Sequence, residues 1–189
     1  MRVRRELEEY IREKHDDLGY EEVRTHELNK AKLWEPTGHL EAFKEEGEMF
    51  AWEQDDTEYG LKPMNCANHA HIYDEGQHSY RDLPVRFSEF GTVYRNEQSG
   101  ELSGLLRVRG LTQDDGHAFI RRDQIETEIT ETLEVIEEIY DLFDLEVLYK
   151  LETKGDNAVG SDDIWQEATQ GLRDSLDTLG LKYEVESGE

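Results

Sequence analysis

Val85-Arg86-Phe87-Ser88-Glu89-Phe90-Gly91-Thr92-Val93-Tyr94-Arg95 and Leu106-Arg107-Val108-Arg109-Gly110-Leu111-Thr112-Gln113-Asp114-Asp115-Gly116-His117-Ala118-Phe119-Ile120 are the two stretches that decide the fold. Aromatic and β-branched residues recur in both, and the second alternates polar and apolar side chains, which predicts two long strands over 85–95 and 106–120. The polar segment from Asn96 to Gly104 joins them as a loop. Upstream, Val3, Leu7, Tyr10, Ile11 and Leu18 mark one face of a helix over 2–18, stopped by Gly19, and Tyr20 to Arg24 follow as a short strand. Leu33, Trp34, Leu40 and Phe43 suggest short helical pieces. Met49–Glu53 and Glu58–Lys62 form a hairpin across Gln54-Asp55-Asp56, and Asn65 caps a helix running to Asp74. Downstream, Asp123 with Glu126 reads as a capping box opening a long helix whose buried stripe is Ile125, Ile129, Leu133, Ile136, Ile139, Leu142 and Phe143. A strand at 146–151, a helix from Ser161 and a strand near 181–185 complete an α+β pattern, an antiparallel sheet flanked by helices, in one domain over 1–189.

The chain has 189 residues and a formal charge of -25, from 46 Asp and Glu against 21 Lys and Arg. Nine Tyr, six Phe and three Trp supply core material that a disordered acidic chain lacks. No apolar run reaches 18 residues, so no membrane span is expected, and a single Cys fits a reducing cytoplasm. Thirteen Arg outnumber eight Lys, and an acidic, Lys-poor but foldable chain points to a halophile's protein. Bulk charge excludes sequence-independent nucleic-acid binding but not a local anion site. Such a site has one obvious home. Residues 81–122 hold seven Arg against six acids, while the remaining 147 residues carry -26.

Three constellations bear chemistry. Cys66 and His69 stand three apart on a helix, a spacing that suits two metal ligands, although a lone Cys is more often a small buried apolar residue. Arg95 and Arg107, at the ends of the strand-loop-strand, can grip a polyphosphate while Glu97 accepts from an exocyclic amine; cross-strand salt bridging is the bland alternative. Gln113, Asp115 and His117 alternate along a strand and so share one face. On residues alone, a zinc hydrolase built on Cys66, His69 and His117 remains open, and it makes His69 essential.

Lys62-Pro63-Met64-Asn65-Cys66, Tyr80-Arg81-Asp82-Leu83-Pro84, Tyr94-Arg95-Asn96-Glu97 and Arg107-Val108-Arg109-Gly110, with Gln113-Asp114-Asp115 and His117, resemble the threonyl-tRNA synthetases. Leu33-Trp34-Glu35 and Thr37-Gly38-His39 extend the likeness upstream. The resemblance implies a class II aminoacyl-tRNA synthetase fold, with motif 1 at about 2–28, motif 2 at about 85–120, motif 3 absent and the sheet incomplete at the C-terminus. It implies that Arg95 contacts the α-phosphate and the amino-acid carboxylate, Glu97 the adenine amino group, and Arg107 the phosphates. Cys66 and His117 match two of three zinc ligands, and Met64, Gln113 and Asp115 line the threonine pocket. The implied function is threonine activation with ATP and Mg, then transfer to tRNA(Thr), by a homodimer built through motif 1. The alternative is a non-catalytic synthetase-like binding module or one half of a split synthetase. This sequence departs from the pattern at His26, where motif 1 has Pro and the dimer contact would weaken. It departs again at Leu111, where an adenine-stacking aromatic is usual, and at Ala67-Asn68, where Pro-Gly is commoner.

The charge makes a direct prediction. Raising salt from about 0.1 M to about 1 M shortens the screening length from about 10 Å to about 3 Å, so the melting temperature should rise over that range. A melting temperature indifferent to salt contradicts the halophilic reading.

Overall fold

A computed structural model describes residues 1–38, 40, 43, 47–155, 158 and 160–188. The chain forms two compact units, Met1–Phe119 and Ile120–Glu189. In the first, helix α1 (Arg2–Asp17) leads into strand β1 (Glu21–Glu22), which lies parallel to β5 (Val85–Tyr94), and β5 pairs antiparallel with β6 (Gly110–Phe119). A second sheet has β4 (Thr57–Leu61) between β2 (Leu28–Lys30) and β3 (Ala51–Gln54), all antiparallel. Helix α2 (Cys66–Glu75) connects the second sheet to β5. In the second unit α3 (Ile125–Leu142), β7 (Tyr149–Thr153), α4 (Asp162–Thr178) and β8 (Tyr183–Ser187) follow, and β7 pairs parallel with β8.

The β5–β6 pair is the expected one, with a shorter second strand. Ladder pairing begins at Gly110, not Leu106, and Leu105 and Leu106 stand almost fully exposed in the connecting loop. Two pairings are parallel where antiparallel strands were expected. Tyr183–Ser187 returns to Tyr149–Thr153 through α4, and a helical crossover of that length delivers a strand in the same direction. The hairpin forms as anticipated, and Asp55 and Asp56 both take positive φ (51° and 55°), the turn whose twist matches its strands.

Caps and faces differ more. Asn65 precedes α2, yet its side chain makes no cap hydrogen bond and is spent elsewhere. At the start of α3 the capping group is not Asp123 with Glu126. A short 3-10 turn over Arg122–Gln124 comes first, and the Gln124 side chain accepts from the Arg121 amide at 2.9 Å. The helix expected from Ser161 forms, and Ser161 caps it by accepting from the Ile164 amide. The α3 stripe is half-buried from Ile125 to Ile139, but Leu142 and Phe143 are exposed, and α1 has no buried residue.

Ala31, Trp34, Met49 and Ala67 form a buried cluster joined by Leu40 and Phe43. It seats α2 against the second sheet. Gly60 permits the approach, because a Cβ there would run into Met49 and Trp34. Lys62 then ties the two sheets together through its backbone. Its amide donates to the Glu27 carbonyl at 2.8 Å, and its carbonyl accepts from the Tyr94 amide at 2.9 Å.

Candidate functional site

Strand β5 is the centre of its sheet and is buried at Phe87, Ser88, Glu89, Gly91 and Val93. Its register with β6 sets Phe87 opposite His117, Glu89 opposite Asp115 and Gly91 opposite Gln113. Directly opposed residues share a face, so these six side-chain positions form one patch. On β6 the alternation is visible in burial. Gln113, Asp115 and His117 are half-buried, whereas Thr112, Asp114 and Gly116 are exposed.

Helix α2 covers that patch through its first turns. Asn65 Nδ2 donates to Asp115 Oδ2 at 2.9 Å, and the flat backbone of Gly91 makes room, since a Cβ there would collide with the Asn65 side chain. Asn65 Oδ1 is buried and accepts nothing among the described residues. One turn on, fully buried His69 places Nε2 3.2 Å from Glu89 Oε2 and Nδ1 2.9 Å from His117 Nδ1. Glu89 also receives the Thr25 amide at 2.9 Å, the Thr25 hydroxyl at 2.8 Å and the Lys62 ammonium at 3.1 Å. Lys62 Nζ is wholly buried and donates to Thr25 Oγ1 as well, at 2.8 Å. Burial alone pushes the Glu89 carboxyl up. Hydrogen bonds from His69, Thr25 and Lys62 outweigh it and hold the group at about 2.

Cys66 opens α2 and is partly buried. Burial first, and then the charge of Asp115, push its thiol above the ordinary value. A thiol and an imidazole are soft and borderline donors of the kind zinc takes, and the metal would deprotonate the thiol on binding. Cys66 and His117 suit such an ion by donor type alone. Among the described residues no group of three His, Cys, Asp or Glu gathers to hold a metal. The expected Cys66–His69 pairing does not form a ligand set. Both ring nitrogens of His69 are occupied by Glu89 and His117, which removes it from coordination and with it the Cys66–His69–His117 hydrolase.

At the other end of β5 lies the arginine loop. Arg95 follows the strand, is half-buried, and its Nε donates to the Pro63 carbonyl at 3.4 Å, beside half-buried Met64. Arg107 precedes β6 rather than projecting from it. Its Nε donates to Glu97 Oε2 at 2.6 Å, with Glu48 and Glu101 carboxylates at 3.7 Å and 3.8 Å. Glu97 is buried, and Arg109 Nε donates to its backbone carbonyl at 3.0 Å. The two arginines do flank one loop, but the salt bridging weighed against phosphate binding is also real: Glu97 and Arg107 hold each other.

Residues 48–178 match the model for the tRNA synthetase class II core domain (G, H, P, S and T). The chain belongs to the class II tRNA synthetase core-domain family. It is 50% identical over 187 residues to a threonine–tRNA ligase of Halobacterium salinarum, and 44% identical over 187 residues to threonine–tRNA ligase 2 of Bacillus subtilis. Each match covers 99% of this chain and 29% of the relative, so the chain spans about three tenths of the curated relatives it matches. A solved structure described as the RNA binding domain of threonyl-tRNA synthetase from Cryptosporidium parvum Iowa II superposes with a TM-score of 0.90 at 36% identity. That match covers 97% of this chain and 45% of the other. No helix among the described residues is long and apolar enough to cross a membrane.

Sequence reasoning singled out Cys66, His117, Gln113 and Asp115 but missed Glu89, Lys62 and Thr25. The signals were present. Glu89 is a charge inside the apolar run Phe87–Val93, and Lys62 is the one lysine between Lys44 and Lys150.

Glu89→Gln should cost about 3–5 kcal/mol, because it leaves the Lys62 ammonium buried without its counter-charge. Glu89 is held below the ordinary carboxyl value of 4.5, so its contribution is complete above that pH and is lost as pH falls toward 2. Urea unfolding at high salt, repeated across this window, should show the gap between wild type and variant closing. A constant gap contradicts the role given to the carboxylate.

Proposed function

We propose that the chain is the ATP- and threonine-binding part of a threonine–tRNA ligase, which joins threonine to AMP and then to tRNA(Thr). The observation that carries this reading is the division of the β5–β6 pair into two ends. One end carries Arg95, Glu97 and Arg107, the last two in an ion pair, and the other sets Asp115 and His117 on one face beneath the first turns of α2, which opens with Cys66. An arginine end suits a polyphosphate, and an end with a carboxylate, an amide, a thiol and an imidazole suits a small amino acid with a hydroxyl.

In the reaction the threonine carboxylate attacks the α-phosphorus of Mg-bound ATP, and pyrophosphate leaves. Positioning and charge stabilisation supply the catalysis, with no general base assigned. Arg95 holds the α-phosphate and the carboxylate together, Arg107 supports the phosphates, and Glu97 accepts from the adenine amino group. Because Arg107 begins in the company of Glu48, Glu97 and Glu101, phosphate must displace carboxylate to reach it. Met64, Gln113 and Asp115 line the amino-acid pocket. Cys66 and His117 would hold zinc, whose open positions suit the amino and hydroxyl groups of threonine. A site built to bind a hydroxyl rejects valine strongly, whereas serine satisfies it. Support for the threonine reading comes from the curated relatives, and the ligase activity belongs to proteins more than three times as long. A cytoplasmic homodimer formed through motif 1 is the accompanying expectation.

Calorimetric titration with Mg-ATP at high salt tests the assignment. The chain should bind the nucleotide, and Arg95→Ala should weaken binding about ten- to hundredfold, as losing a hydrogen bond to a charged group does. Equal affinity in the two proteins, or no binding by either, overturns the assignment of this loop.

A further inference from the structure

In the first unit 26 acids face 15 Lys and Arg, and Arg4, Arg5, Arg12, Lys62 and Arg107 each lie within ion-pair distance of a carboxylate. Arg24, Lys30 and Lys32 have no such partner among the described residues, and all three line one cavity of about 1130 Å³ between the segment 24–37 and α2. Asp74 is the one acid described in its wall, so the most acidic kind of chain turns a net positive face to this space. An exposed lysine needs no partner to be content in water. The same wall, however, holds a group that does need one. Asn68 lines the cavity, is only 6% exposed, and its Oδ1 accepts no hydrogen bond among the described residues. Buried acceptors are nearly always paired, because an unpaired one forfeits its hydration.

We propose that this cavity is a second binding site, for a phosphate monoester whose flat apolar body carries an N–H or O–H donor. Arg24, Lys30 and Lys32 supply charge and hydrogen bonds to the phosphate, whose three oxygens take several donors at once where a single carboxylate cannot. Leu33, Ile72 and the rings of Tyr73 and Phe119, stacked 4.1 Å apart, supply an apolar wall for the body of the ligand. Asn68 Oδ1 accepts from its donor. None of the residues assigned to ATP, threonine or zinc lines this space, so the site lies outside the one proposed above and does not depend on it.

Nitrogen-15 NMR of the 189-residue chain at high salt, titrated with 4-aminophenyl phosphate, tests the assignment. The amides of Lys30, Lys32 and His71 and the side-chain amide of Asn68 should shift together and saturably. Inorganic phosphate, which lacks the apolar body, should bind about tenfold more weakly at the same residues. Replacing both exposed lysines, Lys30→Gln with Lys32→Gln, should weaken 4-aminophenyl phosphate about ten- to hundredfold while the rest of the amide spectrum stays in place. Lys182→Gln, an equal loss of exposed charge in the second unit, should leave the affinity as it was. Shifts that never saturate, equal affinity for the two phosphates, or an equal loss in Lys182→Gln reduce the effect to bulk charge and overturn the proposal. If phosphate moves nothing and the double lysine variant instead changes the sedimentation of the chain, a second copy occupies the cavity, which also overturns it.

Discussion

One buried carboxylate organises the first unit. Glu89 lies in the central strand, and bringing it there costs the hydration of a charge. Four donors from three separate segments meet that cost: the Thr25 amide and hydroxyl, the Lys62 ammonium and the His69 ring. Each donor fixes its own segment. Thr25 continues β1 beyond its last ladder bond, the Val23 amide on the Ser88 carbonyl, by turning to a side chain instead of backbone. Lys62 sits where the second sheet ends, and His69 sits one turn into α2. Carboxylate, ammonium and imidazole together thus hold a strand extension, a sheet and a helix in one geometry.

The residues that share this face of β5 and β6 inherit that geometry. Glu89 and Asp115 are opposite each other on one face, where two like charges repel. The conflict is resolved by giving them different partners. Glu89 takes the buried cation, and Asp115 takes the Asn65 amide. Asn65 is available for this because it does not cap its own helix, and Gly91 is the residue whose missing side chain lets it lie flat on the strand. Local helix chemistry has been surrendered to place a carboxylate. Such a trade, in which a cap residue serves a site, is what a functional surface looks like when sequence rules fail locally.

Much of this was legible in the sequence. The hairpin of β5 and β6 follows from β-branched and aromatic density, and the shared face of Gln113, Asp115 and His117 follows from a period of two. The paired aspartates at 55 and 56 mark their turn. What could not be read was anything set by contacts distant in sequence. Leu106 to Arg109 have strand-like residues but pair with nothing long, because the chain needs them in the loop that presents Arg107. The second unit was expected antiparallel, and only the helix-mediated return of β8 to β7 makes it parallel. His69 carried a plausible ligand spacing with Cys66, and nothing local to α2 reveals that Glu89, twenty residues on, claims its other nitrogen.

The central claim is that Glu89 makes the Thr25 segment part of the core although that segment has no strand ladder of its own. Native-state hydrogen exchange at the Thr25 amide tests this most directly. Glu89 is the acceptor of this amide, so it should exchange only when the whole unit opens, with the same free energy and denaturant dependence as the amides of β5. Exchange at the rate of the exposed loop between Gln98 and Ser103 would contradict the account.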